Sequence, residues 1–426
     1  MSRMKTWRRL GIFALLGLLL SWVVSCSSGS APSKSPEIEF WTMQLQPKFT
    51  DYFNKLIANF EAQNPGVKVR WVDVPWSAME TRILAAVQAN TAPDVVNLNP
   101  NFASQLASRN AWLDLDSQVP APTRQQYLPN IWKSSTLNGK SFGIPWYLTT
   151  NVTIYNTDLL KKAGISKPPT TYAELAQVAQ QIKDKTGKYA FFTTFIAQDA
   201  SDVLESFVQM GVPLVDEQGK AGFNTTAGKA AFEYWVDLYK KGLLPREALT
   251  QGHQHGIELY QAGETAMLST GAEFIDTIAK NAPGIASVSA VAPQITGETG
   301  KKNVAVMNLS IPRNTDKPND AVKFALFVTN TENQLAFAKA ANVLPSTVAA
   351  VEEYKRQLAS DANASPIEQG RSISASQLSQ SEVLVPTIKD INVLQKAIYE
   401  NMQAAMLGEK TVDQAVADAA STWDQR

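Results

Sequence analysis

Tryptophan and carboxamide side chains follow the first three predicted strands of the chain. Trp41 and Gln44 come after the first strand, Trp76 after the second and Asn99 after the third. Indole rings stack on apolar ligand faces, and carboxamides form paired hydrogen bonds with hydroxyl groups. Because open α/β sheets bind ligands at the carboxyl ends of their strands, we expect these four residues to share a binding site.

Four further residues fit the same chemistry, although each has a structural alternative. Trp146 and Tyr147 stand together after a Gly/Pro-rich loop, and Asn308 and Arg371 supply polar groups later in the chain. A tryptophan in a strand-rich region is as often a core residue as a ligand contact. Arg371 begins a serine-rich segment that reads as a loop, where it can also pair with a surface acid.

Motifs for catalysis and metal binding are scarce. The sequence has no nucleophile elbow, Walker loop, His-Glu-x-x-His or dinucleotide-binding fingerprint. His253 and His255 have a metal-like spacing, but no cysteine or acid cluster stands beside them, which favours a solvated loop. We therefore expect no cofactor and no metal. Any two of the 39 acidic residues could still serve a glycoside hydrolase, so that alternative stays open.

The elements that must position these residues are predicted from hydrophobic patterning. Residues 37–41 and 67–71 alternate as strands do, and residues 52–60 between them carry apolar side chains at helical spacing. A helix at 79–89 and a short strand at 93–96 follow. Strand, helix and parallel strand form a βαβ unit, so the pattern predicts an α/β fold with a parallel sheet.

The second half of the chain is predicted to be richer in helix. Thr171 with Glu174 forms a capping-box pattern, Thr226 is a candidate cap of a second helix, and Thr411 with Gln414 is a candidate cap of the last one.

The N-terminus has the order of parts typical of an export signal. Four basic residues lie within residues 3–9, the apolar run 10–20 follows, and Val23-Val24-Ser25-Cys26 resembles a bacterial lipobox. The run is shorter than the ~20 residues of a membrane-spanning helix. We expect residues 1–25 to be a signal peptide, Cys26 to be lipidated, and residues 26–36 to be a flexible tether that holds an exported protein to the membrane.

The charge balance changes when the signal is left out. The whole chain has 39 Lys and Arg against 39 Asp and Glu, and removing the four basic residues leaves a net charge of about −4. This mildly acidic balance argues against nucleic-acid binding. One cysteine cannot form an internal disulfide.

Eight segments in chain order resemble one known family, the extracellular solute-binding proteins of carbohydrate ABC transporters, which include maltodextrin-binding protein. The most specific block runs from Tyr155-Asn156-Thr157-Asp158 through Ala163-Gly164 to Pro168-Pro169-Thr170-Thr171. Other segments that resemble the family are residues 60–69, 92–95, 138–145, 263–267, 311–313, 321–324 and 407–410.

The resemblance implies a two-lobed α/β fold of the periplasmic-binding-protein type, in which hinge strands join the lobes. By analogy, the first lobe comprises residues 37–147 and 287–330, and the second comprises 148–286 and 331–426. The family loop at residues 271–274 adds Glu273 and Phe274 as candidate ligand contacts. Phe274 replaces the tryptophan that this loop often presents, which weakens a stacking role there.

The implied function is capture of a sugar or oligosaccharide between closing lobes and delivery to membrane permease subunits, by a monomer that performs no reaction. Alternatives are a glycoside hydrolase, a receptor for glycerol phosphate or an osmolyte, and a passive adhesin. An anionic solute needs several converging basic groups, and Arg371 is the one basic residue in the nominated loops. The pattern therefore favours a neutral solute.

Overall fold

The computed structural model describes residues 37–197, 199, 201–359, 365–385 and 387–426. The predicted signal peptide, Cys26 and the tether lie outside these residues.

The first half of the described chain alternates strands and helices. In order the elements are β1 (Glu37–Met43), α1 (Thr50–Gln63), β2 (Lys68–Val74), α2 (Trp76–Gln88), β3 (Val95–Leu98), α3 (Pro100–Ala107), α4 (Leu115–Gln118), α5 (Ala121–Arg124), α6 (Pro129–Lys133), β4 (Thr136–Leu137), β5 (Lys140–Ser141) and β6 (Ile144–Asn156).

The second half is mainly helical. Its elements are α7 (Thr157–Lys162), α8 (Tyr172–Thr186), α9 (Asp202–Gln209), α10 (Thr226–Lys240), a 3-10 turn (Arg246–Leu249), α11 (His253–Gln261), β7 (Met267–Gly271), α12 (Phe274–Asn281), α13 (Pro283–Ala286), β8 (Ser289–Pro293), β9 (Lys302–Ser310), α14 (Pro318–Val328), α15 (Thr331–Ala341), β10 (Leu344–Pro345), α16 (Val348–Ala359), α17 (Pro366–Gln377), a 3-10 turn (Leu378–Gln380), β11 (Ser381–Glu382), α18 (Ile391–Met406) and α19 (Val412–Asp424).

The predicted βαβ unit is confirmed. β1 pairs in parallel with both β2 and β3, while α1 buries Phe53, Leu56 and Phe60 against them. The strand order is β10-β6-β9-β3-β1-β2. The carboxyl ends of the three parallel strands therefore lie at one edge of the sheet.

Strand β6 connects two parts of the molecule. Its first half, from Ile144 to Thr150, pairs with β9, and its second half, from Asn151 to Asn156, pairs with β7 and β8. Because one 13-residue strand belongs to both sheet regions, it joins the two lobes of the α/β fold directly.

Two segments pack with the other lobe from the one predicted. β8 was expected in the first lobe, but it pairs with the second half of β6. α15 was expected in the second lobe, but its Phe337 stacks on Trp146 with ring centroids 4.9 Å apart, inside the first lobe's core. Aromatic packing and strand pairing decide both placements, and neither is visible in sequence order.

Helix caps follow the predictions in part. Thr411 and Gln414 form a complete capping box, as expected. Thr171 caps α8, but Glu174 bonds the backbone N–H of Thr170 at 2.7 Å, so the reciprocal half of the box is shifted by one residue. The cap of α10 is Thr225, and Thr226 is already the first helical residue.

Within the described residues, no helix has the length and apolar character needed to cross a membrane.

Candidate functional site

Gln44, Trp76 and Asn99 lie at the common edge formed by the carboxyl ends of β1, β2 and β3. Gln44 Oε1 accepts a hydrogen bond from the backbone N–H of Trp76 at 3.2 Å. The indole of Trp76 is 46% exposed and lies 6.0 Å from the ring of Phe102. A large apolar ring left this open beside polar side chains offers a plane on which a ligand can stack.

The side chain of Asn99 caps a helix at this edge. Its Oδ1 accepts from the backbone N–H of Phe102 at 2.9 Å and caps α3. The side-chain oxygen is therefore engaged, and the carboxamide NH2 is the group left to bind a ligand.

Asp73 fixes the loop that carries Gln44. Its Oδ1 accepts from the Thr42 hydroxyl at 2.6 Å and from the Leu45 backbone at 2.9 Å, and its Oδ2 accepts from the Gln46 backbone at 3.0 Å. Charge-assisted bonds to two backbone N–H groups hold the turn in one conformation. Gln44 itself sits at φ 53°, in the left-handed region that few non-glycine residues adopt.

The second lobe contributes Glu273, which faces groups of the first lobe. Burial raises the pKa of the Glu273 carboxyl, and the charge of Lys48 opposes that rise. Burial also raises the pKa of Tyr147, with smaller contributions from the charges of Glu273 and Asp73. We refer to Tyr147, Glu273, Lys48 and Asp73, whose charges act on one another in this way, as the electrostatic cluster.

Two of the expected aromatic contacts are core residues. Trp146 is 0% exposed, packed between Phe337 and Phe53. Trp41 is 4% exposed; its Nε1 donates to Glu39 at 2.6 Å, and the guanidinium of Arg82 covers its ring at 4.3 Å. Neither ring has a free face, so the structural alternative holds for both.

Asn308 is fully buried on β9, opposite Leu98 of β3. Neither polar atom of its carboxamide has a hydrogen-bond partner among the described residues. A Cβ at Gly143 would lie 2.8 Å from the Cβ of Asn308, so glycine is required there for the close approach of the chain. This buried position is a correction to the predicted ligand contact.

Arg371 and Phe274 differ from their expected surroundings. Arg371 lies inside helix α17, not in a loop, and its charge acts on Tyr354. Phe274 begins α12, partly buried, with its ring 6.5 Å from that of His253. His253 itself starts helix α11, so the expected solvated loop is also wrong.

Three residues of this region were missed from the sequence: Asp73, Lys48 and Phe102. An acid at the end of the apolar strand β2 was the one available signal for Asp73. Nothing in the spacing of Lys48 and Phe102 separates them from ordinary surface residues. Among the described residues, no group of three or more His, Cys, Asp or Glu side chains is placed to hold a metal ion.

Comparison with known proteins agrees with this architecture. Residues 46–335 match the family model for bacterial extracellular solute-binding proteins. A solved structure from Synechococcus sp. MITs9220, described as an oligosaccharide periplasmic-binding protein in complex with zinc, is 44% identical, with 91% of this chain and 98% of that chain covered and a TM-score of 0.86.

Two proteins of lower sequence identity are also similar to this chain. The cyclic alpha-maltosyl-1,6-maltose binding protein of Arthrobacter globiformis shares the fold, with a TM-score of 0.78, 22% identity, and coverage of 92% of this chain and 98% of that one. The diacetylchitobiose binding protein DasA of Streptomyces coelicolor is 24% identical over 322 residues, 74% of each chain. Because the family model matches more than half of this chain, the chain belongs to the bacterial extracellular solute-binding proteins.

Proposed function

We propose that this protein binds a sugar or oligosaccharide between its two lobes and delivers it to the permease subunits of an ABC importer. The observation that carries the proposal is the open indole of Trp76 beside Gln44, at the edge where β1, β2 and β3 end. Stacking and amide hydrogen bonds are the contacts that a sugar ring needs. The relatives named for maltose-type and chitobiose-type ligands support the same ligand class.

The lobes are proposed to close by bending at β6, the strand whose two halves pair in different sheet regions. The electrostatic cluster of Tyr147, Glu273, Lys48 and Asp73 supports this, because it brings charges from both lobes near each other. Hinge closure buries the solute and creates the surface that a permease recognises. We propose a monomer with the lobe division described above, amended by the packing of β8 and α15.

A thermal-shift screen tests the ligand class. Neutral sugars, sugar phosphates and polyols are added separately to the purified protein, and a ligand at 100 times its Kd stabilises the fold by about 2.7 kcal/mol. We expect stabilisation by sugars or oligosaccharides. Stabilisation by phosphorylated compounds alone would replace the sugar with an anionic solute.

The protein is proposed to catalyse no reaction on its ligand. Incubation with the oligosaccharide that gives the largest shift, followed by chromatography, distinguishes a receptor from a glycoside hydrolase. Intact ligand after hours supports the receptor, whereas shorter products would support the hydrolase.

Attachment to the membrane through Cys26 is proposed from the lipobox pattern. Replacing Cys26 with Ala is expected to move the protein from the membrane fraction to the soluble fraction. Retention of the variant in the membrane fraction would contradict lipidation at this residue.

A further inference from the structure

A cavity of about 70 Å³ lies in the second lobe, between the strands β6 and β7 and the helices α8, α9 and α10. We call it the carboxyl cavity, after Asp202 and Glu205 in its wall. Ser269 of β7 also lines it and is exposed to solvent. His253 also lines the cavity, and its ring lies 6.5 Å from that of Phe274, which follows Glu273 in the chain, so the carboxyl cavity lies close to the second-lobe candidates of the proposed sugar site.

Within the described residues, no lysine or arginine neutralises the two carboxyl groups. Glu205 is 7% exposed, and its Oε1 accepts a hydrogen bond from the Ser201 hydroxyl at 2.7 Å. In the described part of the chain, neither Asp202 nor Glu205 pairs with a lysine or arginine, and the charge of His253 acts on Asp202. Asp199 adds a third acid nearby, whose charge acts on Asp202.

The surroundings favour the uncharged form of these acids while the cavity is empty of cations. Burial raises the pKa of Glu205 to about 8, and the charge of Asp202 adds to that rise. Burial likewise raises the pKa of Asp202, which His253 opposes. A cation placed between two such groups restores their ionised form, because an opposite charge nearby lowers a carboxyl pKa.

A further group in the wall is unsatisfied and points to a ligand. Thr193 is 8% exposed, and its buried hydroxyl has no hydrogen-bond partner among the described residues. A buried hydroxyl without a partner costs free energy that a ligand donor would recover. With Asp202, Glu205 and Thr193, the wall supplies acceptors for the three N–H donors of an ammonium group. Trp235 and Phe191 supply an apolar wall beside them.

The size of the cavity limits what can enter. A single water needs roughly 10–15 Å³ by the same kind of measure, so about 70 Å³ holds a few waters or one small polar group. A whole sugar ring is too large, but a substituent of a ring bound next to the cavity fits.

We propose that the carboxyl cavity is a subsite for a protonated primary amine carried by the bound sugar, so that the ligand class is an amino sugar or an amine-bearing oligosaccharide. This inference rests on the proposed function, since the sugar ring must bind beside the cavity.

Titration calorimetry with matched sugars tests the inference on the full chain. The pairs are glucosamine with glucose and chitobiose with cellobiose, and the N-acetylated diacetylchitobiose is a further uncharged match. Measurements are made at a pH that protonates the free amines. We expect at least tenfold tighter binding of the amine member in at least one pair. We also expect the bound amine to displace a proton from the carboxyl pair, which is detected by repeating the titration in buffers of different ionisation enthalpy.

Two isosteric variants, Asp202→Asn and Glu205→Gln, are measured separately, with thermal melts as a check on folding. Each is expected to lose the amine preference and to bind the uncharged sugars within about twofold of wild type. The matched control is Asp237→Asn on α10, an exposed acid that pairs with Lys241 at 3.0 Å. It is expected to leave both affinities unchanged.

The outcomes separate the two proposals. Equal affinity within every pair, or a preference that persists in both variants, overturns the amine subsite and leaves the sugar receptor in place. Failure of every sugar to bind overturns both.

Discussion

Trp76 and Trp146 have the same side chain but differ in their exposure to solvent. Trp76 follows a predicted strand, Trp146 follows the Gly/Pro-rich loop, and both were candidates for stacking, yet one is 46% exposed and the other is 0% exposed. Trp146 lies in an aromatic cluster with Phe40, Phe53 and Phe337. Trp146 therefore contributes to stability, and Trp76 is the one of the two that stays a candidate for stacking on a ligand.

Truncation of the two residues should separate affinity from stability. Trp146→Ala leaves a large core cavity and is expected to lower the free energy of unfolding by about 3–5 kcal/mol. Trp76→Ala removes a half-exposed ring and should change stability by less than about 1 kcal/mol, while weakening sugar binding at least tenfold. Urea unfolding and calorimetry measure both. An unchanged unfolding midpoint for Trp146→Ala would return that residue to the ligand site.

Glu205 makes stability depend on pH. Its pKa is about 8 in the folded protein and near 4.5 when unfolded, so the folded state binds the extra proton between these values. The contribution of Glu205 to the stability of the fold is therefore greatest below pH 4.5, and this contribution is lost as the pH rises toward 8.

Glu205→Gln removes this dependence, because the amide does not ionise. Relative to wild type, the variant is expected to gain thermal stability at pH 8.5 and little at pH 5. Glu264→Gln on the surface, where Glu264 pairs with Lys188 at 2.6 Å, is the control and should show no such gain at high pH. Parallel melting curves of wild type and Glu205→Gln across this range would contradict the assignment.

At the scale of elements, parallel pairing of β1 with β2 and β3 assembles the site. Each strand ends at the same edge, so residues 44, 76 and 99, which are far apart in sequence, become neighbours. In the second lobe, Thr411 forms a complete capping box at the start of α19. α19 buries Ala415, Val416 and Trp423 against the second lobe.

Thr411→Ala tests the cap of α19. Loss of the hydroxyl leaves the backbone N–H of Gln414 without its 3.2 Å partner and should cost about 1 kcal/mol in the free energy of unfolding. Thr422→Ala, at an exposed position inside the same helix, is the control and should change stability by less than about 0.5 kcal/mol. Equal effects of the two substitutions would show that the cap contributes nothing specific.

At the scale of the molecule, β6 belongs to both sheet regions, and β9 pairs with the same strand. Bending at β6 is proposed to move one lobe against the other without breaking either core, because the two largest hydrophobic clusters share no residues. The charge of Lys48, just before α1, acts on Glu273, just before α12.

Closure is expected to be visible in solution. Addition of the sugar that stabilises the protein should reduce the radius of gyration measured by small-angle X-ray scattering, because ligand contacts favour the closed arrangement. Trp76→Ala at the same sugar concentration is the control and should retain the larger radius. A radius that does not respond to saturating sugar would contradict hinge closure.

The sequence by itself determined the α/β class, the βαβ unit, the helix-rich second half and the family, because these depend on local hydrophobic periodicity and on motifs that occur in order. It also placed Gln44 and Trp76 just after the ends of the first two strands. Only the tertiary structure decided that Trp41, Trp146 and Asn308 are buried, that α15 packs on the first lobe, and that Asp202 and Glu205 share a cavity with Thr193. Exposure and cavities are set by which distant segments pack together, and a residue's type does not encode its neighbours across hundreds of positions.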